Sequence, residues 1–228
     1  MRHRIVDQPD FSFLELTFDT AGESIVAESG AMVARDAGVQ MKTGLRGGLL
    51  ASAKRKLLGG ESLFLNTFTA ASPHERLMLA PAAEGDILLR DLHADEPLFV
   101  RSGGFLAAAP TVTIDTKWGG AKGFFGAGLF LLKAQGTGPL FLSAFGGVRP
   151  VQIDPASDGF IVDNDHIVAF TTGLDYKIRK IGGLKGLFFS GEGLVCHFTG
   201  TGTVYLQTRN PRGLAAWVHP FRRVQSSR

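Results

Sequence analysis

The sequence has almost none of the features that stabilise small secreted folds or anchor a chain in a membrane. Cys196 is the single cysteine among 228 residues, so no intrachain disulfide can form and a reducing compartment is expected. No run of about 18 apolar residues occurs, so no transmembrane helix is predicted. The N-terminal stretch MRHRIVDQPD lacks the apolar segment of a secretory signal. These absences together predict a cytoplasmic protein.

The chain also lacks a large excess of charge of one sign. Its 24 Lys and Arg residues stand against 21 Asp and Glu residues, which leaves a formal net charge of +3. Much of this excess comes from arginines near the C-terminus, and we interpret residues 221–228 as a basic, solvated tail. RNA-binding proteins usually concentrate far more positive charge on one face. Charge therefore argues against RNA as a partner without excluding it.

Recognised catalytic and metal-binding patterns are missing as well. The six histidines show no His-x-His or His-x-x-x-His spacing, and the chain contains neither Gly-x-Ser-x-Gly nor a phosphate-binding loop. Cys196 and His197 are adjacent in a predicted strand, so their side chains point to opposite faces. The DNDH segment at 163–166 could supply metal ligands, but Asp and Asn are also typical of a turn, which we favour. We expect no enzyme activity, no metal and no cofactor.

Glycine and phenylalanine, by contrast, are abundant, at 30 and 18 residues. Segments such as FSFLELTF and TVTIDTKW alternate with a period of two, and runs such as GPLFLSAF are apolar at successive positions. The first pattern predicts strands, and the second is typical of strands between packed layers. Two packed sheets or a barrel-like wrap would use such strands. Only residues 51–58 and 211–218 are predicted to form helices, so the fold class is all-β.

A glycine-rich phrase recurs three times, as GGLLASAKRKLLGGES, GGAKGFFGAG and GGLKGLFFSGEG. Similar strand patterns precede and follow each copy, which predicts three pseudo-repeats at roughly 20–90, 95–150 and 155–210 within a single domain, 1–228. Units of this size cannot bury a core alone, so we expect them to share one.

The recurring phrases also contain the candidate interaction residues. Each phrase combines basic residues with more apolar side chains than a small loop can bury. Two interpretations stay open, in which these side chains either plug the end of the β-core or form an exposed patch for a partner subunit or a membrane surface. Glu61 and Glu192 occupy matching positions, and we interpret them as turn-capping residues rather than a catalytic pair. The candidate residues are Lys122, Phe124, Phe125, Lys185, Phe188, Phe189, Leu57 and Leu58.

The segment GGLKGLFFSGEGLVCHFTGTGTVYLQTRNP, together with GGESLFLNTFTA and NPRGLAAWVHPF, resembles the "altered inheritance of mitochondria" family of mitochondrial biogenesis proteins. The resemblance extends over nearly the whole chain, which looks like a bacterial member without a mitochondrial presequence. It implies a fold like that of the tryptophan RNA-binding attenuation protein (TRAP), a double-stranded β-helix or β-sandwich. In the second repeat Gly128 departs from the motif, where the third has Glu192.

The predicted function is therefore a non-catalytic assembly or scaffold protein that associates with itself. A homotrimer is the favoured oligomer for a chain of three units. Two alternatives remain, a ligand- or RNA-binding module that uses the Gly/Lys/Phe loops and a peripheral membrane-associated protein.

Overall fold

The computed structural model describes residues 1–45, 64–115, 131–155, 158–180 and 194–222. These residues form antiparallel strands and one α-helix, which confirms the predicted all-β class. The predicted helix at 51–58 lies outside the described residues. The strands are β1 (Arg2–Val6), β2 (Phe13–Thr17), β3 (Ser24–Glu28), β4 (Met32–Arg35), β5 (Gln40–Leu45), β6 (Phe64–Thr69), β7 (Arg76–Leu79), β8 (Ile87–Leu92), β9 (Leu98–Arg101), β10 (Phe105–Ala108), β11 (Val112–Asp115), β12 (Leu131–Gly136), β13 (Gly138–Ser143), β14 (Val148–Ile153), β15 (Phe160–Asp163), β16 (Ile167–Thr171), β17 (Leu174–Lys180), β18 (Leu194–Gly200) and β19 (Gly202–Gln207).

The C-terminal helix α1 spans Pro211–Val218, as predicted. The side chain of Asn210 accepts a hydrogen bond from the backbone N–H of Gly213 at 2.6 Å, and Pro211 takes the first helical position, where no N–H is needed. A short 3₁₀ turn, His219–Phe221, follows the helix. The cap and the proline in the sequence were therefore sufficient to locate this helix.

The described strands form four sheets, which we number as layers 1 to 4. Layer 1 has the order β1-β2-β7-β4, and layer 2 has the order β5-β6-β3-β10-β13-β8. Layer 3 has the order β11-β12-β9-β16-β19-β14, and layer 4 has the order β15-β18-β17 with β18 in the middle. The two inner layers are thus complete six-stranded sheets, while the two outer layers contain four and three strands.

One pairing scheme occurs three times along the chain. We call β2–β7 unit 1, β8–β13 unit 2 and β14–β19 unit 3. In every unit the sixth strand pairs with the first and third strands, and the fifth pairs with the second and fourth. Each unit therefore splits into a leading half (first, third and sixth strands) and a trailing half (second, fourth and fifth strands).

The units also share a detail of register. The third strand of each unit has an irregularity against the sixth strand, located between Met32 and Ala34, between Phe105 and Ala107, and between Ile167 and Ala169. In all three cases an alanine follows the irregularity. Ala34, Ala107 and Ala169 therefore occupy matching positions, which aligns the three units residue by residue.

Pairing between units builds the inner layers. The trailing half of unit 1 joins the leading half of unit 2 through β3 and β10, where Ala27 lies opposite Ala107. The trailing half of unit 2 joins the leading half of unit 3 through β9 and β16, where Val100 lies opposite Ala169. Layer 1 is consequently the leading half of unit 1 with β1 added, and layer 4 is the trailing half of unit 3 alone.

Three apolar clusters fill the spaces between the layers. Phe68 and Leu77 belong to the cluster between layers 1 and 2, and Leu140 and Val168 to that between layers 2 and 3. Phe170 belongs to the cluster between layers 3 and 4. The sequence predicted two packed sheets or a barrel with one shared core, and the described residues instead form four stacked layers with three clusters. Runs that are apolar at successive positions indicate burial on both faces, but they do not count the layers.

Candidate interaction surfaces

All eight candidate loop residues lie outside the described residues, so their burial stays a prediction. The same holds for Glu61 and Glu192. The described part of the chain offers other surfaces, which sequence patterns did not single out. They are the free edges of the outer layers, a polar network at an inner junction, and the C-terminal helix.

Strand β4 is the free edge of layer 1. All four of its residues are exposed, and Val33 is 59% exposed. The matching strands β10 and β16 are buried, including Leu106 and Val168, which occupy the same position as Val33. The difference follows from pairing, because β10 and β16 each have a partner strand from the preceding unit and β4 has none among the described residues.

Strand β15 is the corresponding free edge of layer 4. Ile161 is 59% exposed, and Phe160 beside it is also exposed. At the position of Ile161 the matching strands β3 and β9 carry Val26 and Phe99, which are buried. Unpaired strand edges present backbone N–H and C=O groups that can receive another strand. Layers 1 and 4 therefore each combine free backbone groups with exposed apolar side chains.

A buried polar network fixes the junction between units 2 and 3. Arg101, at the end of β9, is only 5% exposed, and its guanidinium donates to the side-chain oxygen of Gln207 at 3.1 Å and to the carbonyl of Asp165 at 3.2 Å. Gln207 in turn donates to the same carbonyl at 2.8 Å and accepts from the backbone N–H of Phe145. The network ties β9 of unit 2 to β19 and to the turn before β16 of unit 3.

Burial and the nearby acid have opposing effects on Arg101. Desolvation lowers the pKa of its guanidinium, and the charge of Asp165 partly offsets that effect. Its Nε atom is buried and has no hydrogen-bond partner. A charged side chain is held here by carbonyl and amide oxygens, so its contacts depend on the two units being correctly docked.

The C-terminal helix α1 presents an apolar stripe to solvent. No residue of the helix is buried, and Trp217 is 69% exposed. His166, in the 3₁₀ turn Asn164–His166, anchors the helix because its Nδ1 lies 2.7 Å from the carbonyl of Gln207 and its Nε2 lies 2.9 Å from the amide nitrogen of Asn210. The exposed apolar residues follow the spacing i, i+3, i+4, i+7 of one helical face and are Leu214, Trp217, Val218 and Phe221.

Two clefts open on the described surface. A cleft of about 580 Å³ lies beside α1 and is lined by residues that include Phe11, Glu84, Phe145 and Trp217. A second cleft of about 680 Å³ lies between layers 2 and 3 and includes Arg90, whose guanidinium stacks 5.8 Å from the ring centre of Tyr205. Both are open grooves.

Reactive side chains do not converge in the described residues. Within these ranges no group of three His, Cys, Asp or Glu residues could hold a metal ion. Cys196 is buried in β18, and desolvation raises the pKa of its thiol to about 12. His197, its neighbour, points to the other face, with Nε2 2.9 Å from the carbonyl of Asp158. A thiol in this state is a poor nucleophile at neutral pH.

Comparison with known proteins identifies the family. The family model described as mitochondrial biogenesis AIM24 matches residues 3–209. The chain belongs to the AIM24 family. This confirms the family resemblance drawn from the glycine-rich motifs.

Two AIM24-like relatives come from Streptococcus pyogenes. An uncharacterized protein of serotype M6 is 29% identical over 219 residues, which cover 92% of this chain and 86% of the relative. A crystal structure of a protein from the same species has a TM-score of 0.79 and 27% identity, and the match covers 97% of this chain and 99% of that one. The layered β architecture is therefore similar to that of an experimentally solved protein along its whole length.

Within the described ranges, no helix has both the length and the apolar character required to cross a membrane.

Proposed function

We propose that this AIM24 protein is a non-catalytic scaffold that assembles with copies of itself. The observation that carries the proposal is the contrast between matching strands, since Val33 and Ile161 are exposed at positions that are buried in the other units. Apolar side chains beside unpaired backbone groups are costly to leave in water and favour association. The lone cysteine supports a reducing, cytoplasmic location for this assembly.

The proposal includes the TRAP-like, three-repeat interpretation of the fold. Three units with one pairing scheme, and an irregularity at the same place in each, support it. A fold of identical units has no natural end, because each unit needs a neighbour to complete its sheets. We expect a closed assembly, with three copies as the first number to test.

The test is the mass of the assembled protein. Native mass spectrometry of the full chain should give an integer multiple of 24.4 kDa, with three copies expected. Sedimentation velocity over a range of concentrations should give the same species in solution. A chain that stays monomeric at every concentration would contradict the proposal. Extra bound mass would favour the ligand-binding alternative.

A second candidate function is docking to a membrane surface, and the stripe on α1 favours it. Trp217 and Phe221 lie next to each other, with ring centres 5.8 Å apart, and Trp and Phe on one face are typical of interfacial helices. The segment 209–222 contains three arginines and no carboxylate, which suits an anionic lipid surface.

Vesicle binding tests this second function. With Trp118→Phe as background, Trp217 is the remaining tryptophan, and its emission should shift to the blue with vesicles rich in phosphatidylglycerol and less so at high salt. Trp217→Ser should abolish pelleting with these vesicles, whereas Met41→Ser, at another exposed apolar residue, should not. No pelleting of the unmodified chain at low salt would exclude the function.

A further inference from the structure

We infer that copies of this chain join head to tail, with β15 of one copy pairing beside β4 of the next. The inference rests on the proposed self-assembly and specifies its partner and its geometry. The two strands belong to opposite ends of the molecule, so the interface uses two different surfaces. The partner that fits each end is a second copy of the same chain.

The junction already exists twice inside the chain. The second strand of unit 1 pairs antiparallel with the third strand of unit 2, and the second strand of unit 2 pairs in the same way with the third strand of unit 3. In unit 3 the second strand is β15, and in unit 1 the third strand is β4. These two strands have no such partner in the described residues. Other free edges in the described layers have no paired counterpart in any unit.

One chain cannot close this junction by itself. Layers 2 and 3 lie between β4 in layer 1 and β15 in layer 4, and the three apolar clusters each join only neighbouring layers. Packed sheets are about 10 Å apart, so the outer layers are separated by roughly 30 Å. Paired strands must lie within about 5 Å of each other. The missing partner therefore has to come from another copy.

The alignment of the units also specifies the register. Ala27 lies opposite Ala107, and Val100 lies opposite Ala169. The matching residues at the new junction are Val162 and Ala34. The residue after the irregularity is alanine in all three units, and a small side chain at this position allows the close approach that the inner junctions show.

Pairing would give the outer layers the architecture of the inner ones. Three strands of layer 4 and four strands of layer 1 would form one sheet in the order β17-β18-β15-β4-β7-β2-β1, which is the inner order with β1 added at the far edge. Val33 and Ile161 would take the buried positions of their counterparts Leu106 and Phe99. An interface between two different surfaces closes into a ring or continues as a filament.

Complementation between variants tests the polarity. Val33→Asp and Ile161→Asp each place a charge at a position that the junction buries, and each should weaken assembly by roughly 100-fold or more. Both residues are exposed in the monomer, so both variants should keep the wild-type circular dichroism and melting temperature. Met41→Asp is the matched control, since Met41 is 47% exposed on β5, away from the junction, and should assemble normally.

Each variant retains one intact end. Alone, each should be monomeric, and an equimolar mixture should give a one-to-one heterodimer and nothing larger, because β15 of the Val33→Asp chain can pair with β4 of the Ile161→Asp chain. A mixture that stays monomeric would overturn the head-to-tail junction. If only one variant loses assembly, the interface joins identical edges, and the proposed scaffold survives while this inference fails. A monomeric wild-type chain would overturn both.

Cysteine crosslinking tests the register. Ala34→Cys and Val162→Cys chains, mixed and mildly oxidised, should form a disulfide-linked dimer, since opposite residues of paired strands have close Cβ atoms. Ala34→Cys mixed with Ile161→Cys should not, because neighbouring strand residues point to opposite faces. Equal crosslinking in both mixtures would contradict the register.

Discussion

The inner junctions and the outer edges of this protein use matching strands in opposite environments. At the inner junctions, β10 and β16 are buried between a partner strand and the next layer. At the outer edge, β4 has the same register against its own unit and is exposed along its whole length. A strand's place within its unit therefore does not determine its burial. Burial depends on whether another unit follows in the stack.

The largest expected difference between the two regions concerns large apolar side chains. Phe170 is fully buried and contacts the rings of Phe99, Tyr176 and Phe198 at 5.1–5.3 Å, so Phe170→Ala should lower the free energy of unfolding by about 3–5 kcal/mol. Ile161→Ala should change monomer stability by less than about 0.5 kcal/mol, since Ile161 is exposed. Urea unfolding of the two variants at low concentration measures both. Similar losses would mean that the outer edge is covered within the monomer.

The next effect concerns the polar network at the junction of units 2 and 3. Arg101→Met removes both hydrogen bonds of the guanidinium and should cost about 1–3 kcal/mol, because polar groups of Gln207 and Asp165 lose a buried donor. Lys177→Met, on the exposed face of β17, is the control and should be neutral within about 0.5 kcal/mol. A double-mutant cycle with Gln207→Ala should show coupling. Additive losses would show that the network does not act as a unit.

A smaller effect is expected where the chain leaves the stack. Asn210→Ala removes the N-cap of α1 and its contact with His166, and should destabilise the helix by about 1 kcal/mol. Because α1 buries no residue, global unfolding should hardly change. Hydrogen exchange of the helix amides should become faster while exchange in β19 stays the same. Faster exchange in both would mean that the helix supports layer 3.

The smallest effect concerns pH and the first layer. Hydrogen bonds to Asp19 and Glu23 raise the pKa of the Met1 amine above its ordinary value of 8.0, and the amine in turn lowers the pKa of Glu23 below 4.5. The contribution of the amine is complete below pH 8.0 and lost as pH rises through the raised pKa. That of Glu23 is complete above pH 4.5 and lost as pH falls through the lowered pKa.

Amide exchange in β1 should therefore be slowest between these limits and faster on either side, while exchange in β10 should follow only the intrinsic pH dependence. Glu23→Gln should flatten the acid side of the β1 profile. A β1 profile that matches that of β10 would show that these ion pairs do not hold the strand.

Some parts of the architecture could be read from particular residues. Alternation in FSFLELTF predicted a strand with one buried face, and β2 buries Leu14 and Leu16 against layer 2. Asn210 and Pro211 located α1 because a cap and a proline act over a few residues. The glycine phrases drew attention to three units, although those phrases and their Lys and Phe residues lie outside the described ranges.

The candidate junction could not be read in the same way. MVAR and FIVD have the same apolar character as their counterparts FLAA and IVAFT, so composition cannot tell an exposed edge from a buried one. Arg101 was missed for a related reason, since a lone arginine in VRSGG is usually solvated. Its partner Gln207 lies 106 residues away, a distance that no local pattern spans.

The sequence by itself determined the β class, the C-terminal helix, the threefold writing of the chain and the AIM24 resemblance, because each depends on local periodicity, capping or a motif. Only the tertiary structure decided that the units stack in four layers and that the two ends are left half-built. Pairing between distant strands and the order of stacking are non-local. Each unit carries the same instructions, and the ends differ only because the chain supplies no neighbour there.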